Sequence, residues 1–124
     1  MSSCTVYVVV EGLTEFTFIR EMLAPELGAQ QVFLHPIEIG RPGHRGGDVR
    51  FARARNDIVR YLKQQSDGYV TTMFDFYAIG SDWPGLDTVV DADPVIRKIQ
   101  VLEQATADRV ENELPESSVG RRFI

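Results

Sequence analysis

Two acidic residues follow apolar segments that the sequence predicts to be buried strands. Glu11 comes directly after the β-branched run Thr5–Val10, and Asp75 lies toward the end of the apolar segment Tyr69–Tyr77. A carboxylate at the end of an apolar strand is costly unless it reaches solvent or a cation. If the two strands are neighbours in a parallel sheet, both carboxylates lie at the edge where open α/β sheets bind ligands.

Glu15 adds a third carboxylate, because it lies one helical turn into the helix predicted after Glu11. Three converging carboxylates repel one another and need a cation, and ligation by oxygen alone favours Mg²⁺ or Mn²⁺ over Zn²⁺. Two simpler interpretations stay open. Glu11 and Glu15 could be favourable charges at a helix N-terminus, and Asp75 could accept hydrogen bonds from loop amides between residues 78 and 81.

A basic segment, residues 41–60, lies within an otherwise acidic chain. The whole chain carries a net charge of −5, whereas the acids of this segment are only Asp48 and Asp57. That balance argues against a general nucleic-acid coat but allows a local anion site, to which the glycine-rich loop could add backbone amides. The alternative is a solvated basic helix whose arginines pair with the surplus acids, with His44 as an ordinary loop residue. The candidates for binding phosphate or nucleic acid are Arg41, Arg45, Gly46, Gly47, Arg50 and Arg53.

Strands and helices that would position these residues alternate along the chain. Thr14 is the predicted N-cap of the first helix and Asp93 that of the last, and Pro36 places the second strand toward a sheet edge. The order β-α-β-α-β-α, followed by the start of a strand at 121–124, predicts a three-layer α/β domain of Rossmann-like type. Its sheet is mainly parallel, with helices on both faces. Strands are predicted at 5–10, 31–39 and 69–77, and helices at 14–28, 49–63 and 95–114.

Length and composition describe one globular domain, residues 1–124. Its 124 residues are 44% hydrophobic and 25% charged, which suits a chain that buries its own core. No apolar run is long enough to span a membrane, and the N-terminus lacks a signal-peptide pattern. The single cysteine, Cys4, cannot form an internal disulfide, which suits a reducing compartment. We therefore expect a cytoplasmic protein without membrane contact.

The segments around the two strand-end acids resemble motifs of a known family. Residues 10–16, Val-Glu-Gly-Leu-Thr-Glu-Phe, are similar to the E-G-x-[ST]-E turn of Toprim domains, particularly those of OLD-type nucleases. Residues 73–79 are similar to the strand that carries the D-x-D motif of these domains. The likeness is greatest to uncharacterised bacterial Toprim-like proteins and covers residues 9–85. Members of that family are longer, so the resemblance implies the N-terminal part of a longer protein.

The resemblance implies a role for each matching acid. Glu11 matches the Toprim glutamate, which acts as a general acid or base or as a metal ligand. Glu15 matches the second glutamate that OLD-type nucleases use for metal, and Asp75 matches the first aspartate of D-x-D, which holds Mg²⁺. The second aspartate falls on Tyr77, which cannot replace a carboxylate. Asp82, on the following loop, is the candidate metal ligand that would compensate.

The activity that the resemblance implies is that of a Mg²⁺- or Mn²⁺-dependent nuclease, or a related phosphoryl-transfer domain, acting on nucleic acid. Trp83 could stack on a base, although a tryptophan that covers the core is the favoured interpretation. The alternative is a non-catalytic Rossmann-like module that binds a nucleotide or phosphate, or a subunit that docks on an ATPase.

Potential partners follow from the same resemblance. Toprim-like proteins of bacterial defence systems often work with an ATPase, so an ATPase partner is implied as well as nucleic acid. The sequence leaves open whether the chain forms a homo-oligomer. The surface expected to dock a partner is the apolar stripe of the last helix, formed by Val95, Ile99, Leu102, Thr106 and Val110.

Overall fold

A computed structural model describes residues 2–39, 50–64, 67–114 and 122–124. The described residues form an open, three-stranded parallel sheet with helices on both faces. The predicted α/β class and the parallel sheet are therefore confirmed. No helix in these ranges is both long enough and apolar enough to cross a membrane.

The central strand is β1 (Cys4–Val10), which pairs with β2 (Val32–Glu38) on one side and with β3 (Tyr69–Met73) on the other. The strand order is β2-β1-β3, so β2 is an edge strand of the sheet, as Pro36 predicted. Val10 lies opposite both Glu38 and Met73. The carboxyl ends of the three strands are thus level, and the residues that follow them lie along one edge, called here the carboxyl edge.

Two hydrophobic layers explain why β1 is apolar along its whole length. Val6, Val8 and Val10 pack with Ile19 on one face of the sheet. Val9 belongs to the larger core on the other face, which includes side chains from α3 (Phe51–Gln64) and α4 (Val95–Glu113). Because a strand alternates its side chains between the two faces, covering both faces with helices requires apolar residues at every position.

The first helical segment has a different N-terminus from the predicted one. Helix α1 (Leu13–Phe18) starts after Gly12, which has an extended backbone, and no side chain caps it. The Phe16 amide donates to the Gly12 carbonyl and closes the first turn, so Thr14 already lies inside the helix and cannot be the N-cap.

The helical segment continues past α1, and the φ and ψ angles at the junctions stay in the right-handed helical region. A π-helical turn, Ile19–Leu23, joins α1 to α2 (Ala24–Gly28). Pro25 lies at the start of α2, where the amide that proline lacks is not required. The predicted end of the segment at Gly28 is confirmed.

Helix α4 also starts differently from the prediction. Asp93 does not cap the helix, because its carboxylate accepts a hydrogen bond from the backbone amide of Val90, within the preceding turn. Val95 is 47% exposed and was wrongly placed in the buried stripe, whereas Leu102, Thr106 and Val110 are buried as predicted. The central part of the stripe proposed for a partner therefore belongs to the domain's own core.

Trp83 is the residue through which the loop after β3 joins the core beneath α4. Its side chain is 7% exposed, and its ring lies edge-to-face with Phe51 and with Phe74. The indole Nε1–H donates to Thr106 Oγ1 over 2.9 Å, which satisfies the one polar atom of the ring. The favoured interpretation of Trp83 as a residue that covers the core is confirmed, and base stacking by this residue is wrong.

The described C-terminal residues pair with β3 through an isolated bridge. Phe123 forms a parallel bridge with Val70, and the Ile124 amide donates to the Val70 carbonyl over 2.9 Å. The guanidinium of Arg122 donates to the carbonyl oxygens of Leu62 and Gly68, each over 2.6 Å. Of the strand predicted at 121–124, the described residues show one parallel bridge, at Phe123.

Candidate functional site

Glu11 occupies the centre of the carboxyl edge. It follows the last residue of the central strand, Val10, whose carbonyl accepts a hydrogen bond from the Ile39 amide over 2.9 Å. Helix α1 begins two residues after Glu11, so the backbone turns away from the sheet at this point. The strand and the helix together place the Glu11 carboxyl between the ends of β2 and β3.

The Glu11 carboxyl has an unfavourable environment for its negative charge. Its pKa is raised above the usual value, first by burial and then by the nearby charges of Glu15 and Asp75. The backbone amide of Asp75 donates a hydrogen bond to the carboxylate, and this bond offsets part of the rise in the pKa. The other oxygen, Oε2, is buried and has no hydrogen-bond partner. A proton or a cation at that oxygen would relieve both the repulsion and the missing contact.

Glu15 and Asp75 reach Glu11 from different elements. Glu15 is in the first turn of α1, and Asp75 follows β3. Asp75 Oδ1 accepts a hydrogen bond from the Tyr77 amide over 3.0 Å and so caps the short 3₁₀ turn Phe76–Ala78. The segment predicted to be strand as far as Tyr77 therefore leaves the sheet after Met73, because this local hydrogen bond favours a turn.

Glu15 and Asp75 are close enough to raise the pKa of Glu11, but the three acids do not form a closed cage. Among the described residues, no group of three or more His, Cys, Asp or Glu side chains is arranged to hold a metal ion. Mg²⁺ usually keeps several waters and takes only one or two protein carboxylates, whereas a structural Zn²⁺ needs four protein ligands. The unpartnered Glu11 oxygen, with other carboxylates nearby, therefore fits a hydrated Mg²⁺ or Mn²⁺ better than Zn²⁺.

Asp82 has a different position from the one expected of a metal ligand. Its Oδ1 accepts a hydrogen bond from the Phe51 amide over 2.9 Å, and its Oδ2 accepts one from the Ala52 amide over 3.2 Å. The carboxylate thus caps helix α3 from a loop that is distant in sequence. Since both oxygens bind backbone amides, these contacts give Asp82 a structural role in joining the loop to α3.

The first turn of α3 has its amides already paired in the described structure. Asp82 binds the first two amides, and the Arg50 carbonyl accepts hydrogen bonds from those of Arg53 and Ala54. A helix N-terminus attracts anions through such amides, but here a carboxylate of the protein itself is bound. The residues expected to form a phosphate cradle, Gly46 and Gly47, lie outside the described residues.

The basic residues divide into two groups. Arg41, Arg45, Gly46 and Gly47, together with His44, lie outside the described residues. Arg50 and Arg53 lie at the start of α3, which is joined by Asp82 to the loop after β3 and is therefore at the carboxyl edge. Farther along the helix, Arg55 pairs with Glu113 and Arg60 with Asp57. That part of the segment agrees with the alternative in which arginines pair with the surplus acids.

Glu38 is an acid of the carboxyl edge that sequence reasoning missed. It is the last residue of β2, and its Oε1 is buried without a hydrogen-bond partner. The available signal was the one used for Glu11, an acid at the end of a strand. It was overlooked because the second strand was predicted to continue to Ile39, which placed Glu38 inside the strand.

A separate cavity of about 560 Å³ lies between β3 and α4. Its lining is mainly apolar and includes Thr72, Phe76, Leu102 and Phe123, but not the acids of the carboxyl edge. The acids at the carboxyl edge therefore lie outside this cavity.

These features define the class of the protein as a parallel α/β domain with interacting carboxylates at the carboxyl edge of its sheet. The chain belongs to a family described as a domain of unknown function, DUF4276, whose model matches residues 10–124. The match begins at the last residue of β1, so it includes Glu11, Glu15 and Asp75. No curated protein and no solved structure matches the chain.

Proposed function

We propose that this protein is a magnesium-dependent nuclease domain of the Toprim type, which hydrolyses phosphodiester bonds of nucleic acid. The observation that supports this most strongly is the environment of Glu11. Its pKa is raised by burial, by Glu15 and by Asp75, and one of its oxygens is buried without a partner. Such perturbed carboxyls at the carboxyl edge of an α/β sheet are typical of functional sites.

Each acid has a distinct task in this proposal. A bound divalent ion would polarise the scissile phosphate and lower the pKa of a bound water. Glu11 and Asp75 would hold the ion, while the negative charge of Glu15 would increase its affinity. A bound ion would offset the repulsion by Glu15 and Asp75 that raises the pKa of Glu11. The hydrogen bond from the Asp75 amide would help to hold the Glu11 carboxylate in place for the ion.

Cations near these acids would be needed to hold the nucleic-acid backbone. Arg50 and Arg53 are at the start of α3, at the same edge of the sheet as Glu11. Their side chains would offset the repulsion between a phosphodiester and the carboxylates. In this proposal the glycine-rich residues 40–47 complete the backbone contacts.

The test compares Glu11→Gln with Glu26→Gln, a matched change at an exposed position of α2. Cleavage of single-stranded circular DNA and of plasmid DNA is measured with Mn²⁺, with Mg²⁺ and with EDTA, and Mn²⁺ binding is measured by calorimetry. We expect Glu11→Gln to lower cleavage by at least about a hundredfold and to weaken Mn²⁺ binding, whereas Glu26→Gln behaves as wild type. Metal-dependent cleavage by Glu11→Gln at the wild-type rate would refute the proposal.

A second candidate is a module that binds a nucleotide or phosphate without reacting it. Tyr77 favours it, because a tyrosine stands where the Toprim pattern has its second aspartate. In that case, phosphate or nucleotide binding would persist in EDTA and in Glu11→Gln, and no preparation would cleave DNA. The same set of measurements therefore separates the two candidates.

A further inference from the structure

Tyr77 is the most exposed large hydrophobic side chain among the described residues. It is 81% exposed, against 40% for Phe33 and 38% for Tyr69. Phe33 and Tyr69 lie near the amino ends of β2 and β3, so they belong to the opposite edge of the sheet. Tyr77 follows the carboxyl end of β3 and is two residues from Asp75. Its ring is thus presented to solvent beside the acidic site.

The backbone of Tyr77 is fixed by a turn, and its ring has one aromatic neighbour. The backbone amide donates to Asp75 Oδ1 over 3.0 Å, within the 3₁₀ turn. The ring lies edge-to-face with Phe76, with centroids 5.2 Å apart and planes at 82°. Phe76 is half-buried and packs against the main core. The ring therefore starts from a fixed backbone position, and most of its surface is open to a ligand.

We propose that Tyr77 is a stacking residue that binds an unpaired base of a single-stranded nucleic acid. This inference deepens the proposed function and rests on it for the identity of the ligand. An exposed aromatic ring stacks on bases of any sequence, but only where their faces are not covered by neighbouring pairs. The sequence suggested this role for Trp83, whose ring is buried in the core. Tyr77 instead supplies an accessible ring at the edge that carries Glu11.

This role also gives a reason for a tyrosine at residue 77, where the Toprim D-x-D pattern has its second aspartate. An additional carboxylate would increase the repulsion of a nucleic-acid backbone by Glu11, Glu15 and Asp75. A neutral ring avoids that additional repulsion and adds a contact with a base. The same turn would then hold one carboxylate for the ion, Asp75, and one ring for the substrate.

The test measures binding of a fluorescein-labelled deoxythymidine oligonucleotide of about 12 nucleotides by anisotropy, in EDTA so that cleavage does not interfere. The variants are Tyr77→Ala, Tyr77→Phe and, as a matched control, Tyr69→Ala, each checked for folding by circular dichroism. We expect Tyr77→Ala to weaken binding of the single strand about tenfold or more, and Tyr77→Phe and Tyr69→Ala to bind as wild type. Binding of a blunt duplex should be the same in wild type and Tyr77→Ala.

The outcomes separate this inference from the proposed activity. If folded Tyr77→Ala binds the single strand as tightly as wild type, or if wild type does not bind it, the stacking role is wrong even where cleavage is observed. If wild type does not cleave with any metal but binding of the single strand depends on an aromatic residue at position 77, the nuclease proposal fails and the stacking role stands.

Discussion

The backbone amide of Asp75 donates a hydrogen bond to the carboxylate of Glu11, although β2 and α3 separate the two residues in sequence. The side chain of Asp75 acts in the opposite direction, because its negative charge raises the pKa of Glu11. One residue therefore both orients and repels the same carboxylate. This arrangement requires β1 and β3 to be neighbours, with Val10 opposite Met73.

The raised pKa of Glu11 predicts how stability depends on pH. A carboxyl whose pKa is higher in the folded state contributes stability at low pH, and this contribution is lost as the pH rises through the raised pKa. Glu11→Gln stays neutral and keeps an acceptor for the Asp75 amide. We therefore expect its Tm to exceed that of wild type by a few degrees near pH 7.5 but to match it near pH 4, which lies below the raised pKa of Glu11.

Thermal unfolding followed by circular dichroism at the two pH values checks this prediction, with Glu26→Gln as the control for an exposed glutamate. The Glu26→Gln variant should differ from wild type by the same small amount at both pH values. A difference between Glu11→Gln and wild type that does not change with pH would contradict the electrostatic account of this site.

Because the Asp82 carboxylate caps α3, we expect its removal to destabilise the protein. Asp82→Ala leaves the amides of Phe51 and Ala52 without their partners and should lower the free energy of unfolding by about 1–2 kcal/mol. Asp82→Asn retains an acceptor and should lose less. Urea unfolding measures both, and Asp87→Ala, at an exposed position of the same loop, is the matched control. Equal stability of Asp82→Ala and Asp87→Ala would show that the cap contributes nothing.

Gly85, in the same loop, is a position at which we expect substitution by a larger residue to destabilise the protein. Its φ of +86° is in the left-handed region, and a Cβ atom at this residue would lie 2.9 Å from the Cβ of Ala105 on α4. Gly85→Ala should therefore lower the free energy of unfolding by at least roughly 1–2 kcal/mol through backbone strain, with the close contact adding to the loss.

Gly28→Ala is the matched control for this change. A Cβ at Gly28 would have no atom within 4 Å, and Gly28 is the last residue of α2. This substitution should leave stability unchanged or raise it by about 0.5 kcal/mol, since alanine favours a helix. Similar unfolding curves for the two alanine variants would mean that α4 moves away from the loop at little cost.

Predictions from apolar periodicity within a segment succeeded, whereas the predicted helix caps did not. A helix was predicted at 49–63, and the apolar residues that recur at helical spacing there, including Ala54, Ile58 and Leu62, are buried in α3. Capping was predicted from neighbours in sequence and was wrong for Thr14 and Asp93. The cap of α3 comes from Asp82, and only the folded loop brings that residue to the helix.

The sequence by itself determined which segments become strands and helices, because apolar periodicity and β-branched runs act within a few residues. It also indicated that Glu11 and Asp75 follow strands. Only the tertiary structure decided that β1 lies between β2 and β3, which brings these acids together. It also decided that Trp83 is buried while Tyr77 is exposed. The physical reason is that strand order and burial depend on how segments distant in sequence pack against one another. The pattern within any one segment does not specify that packing.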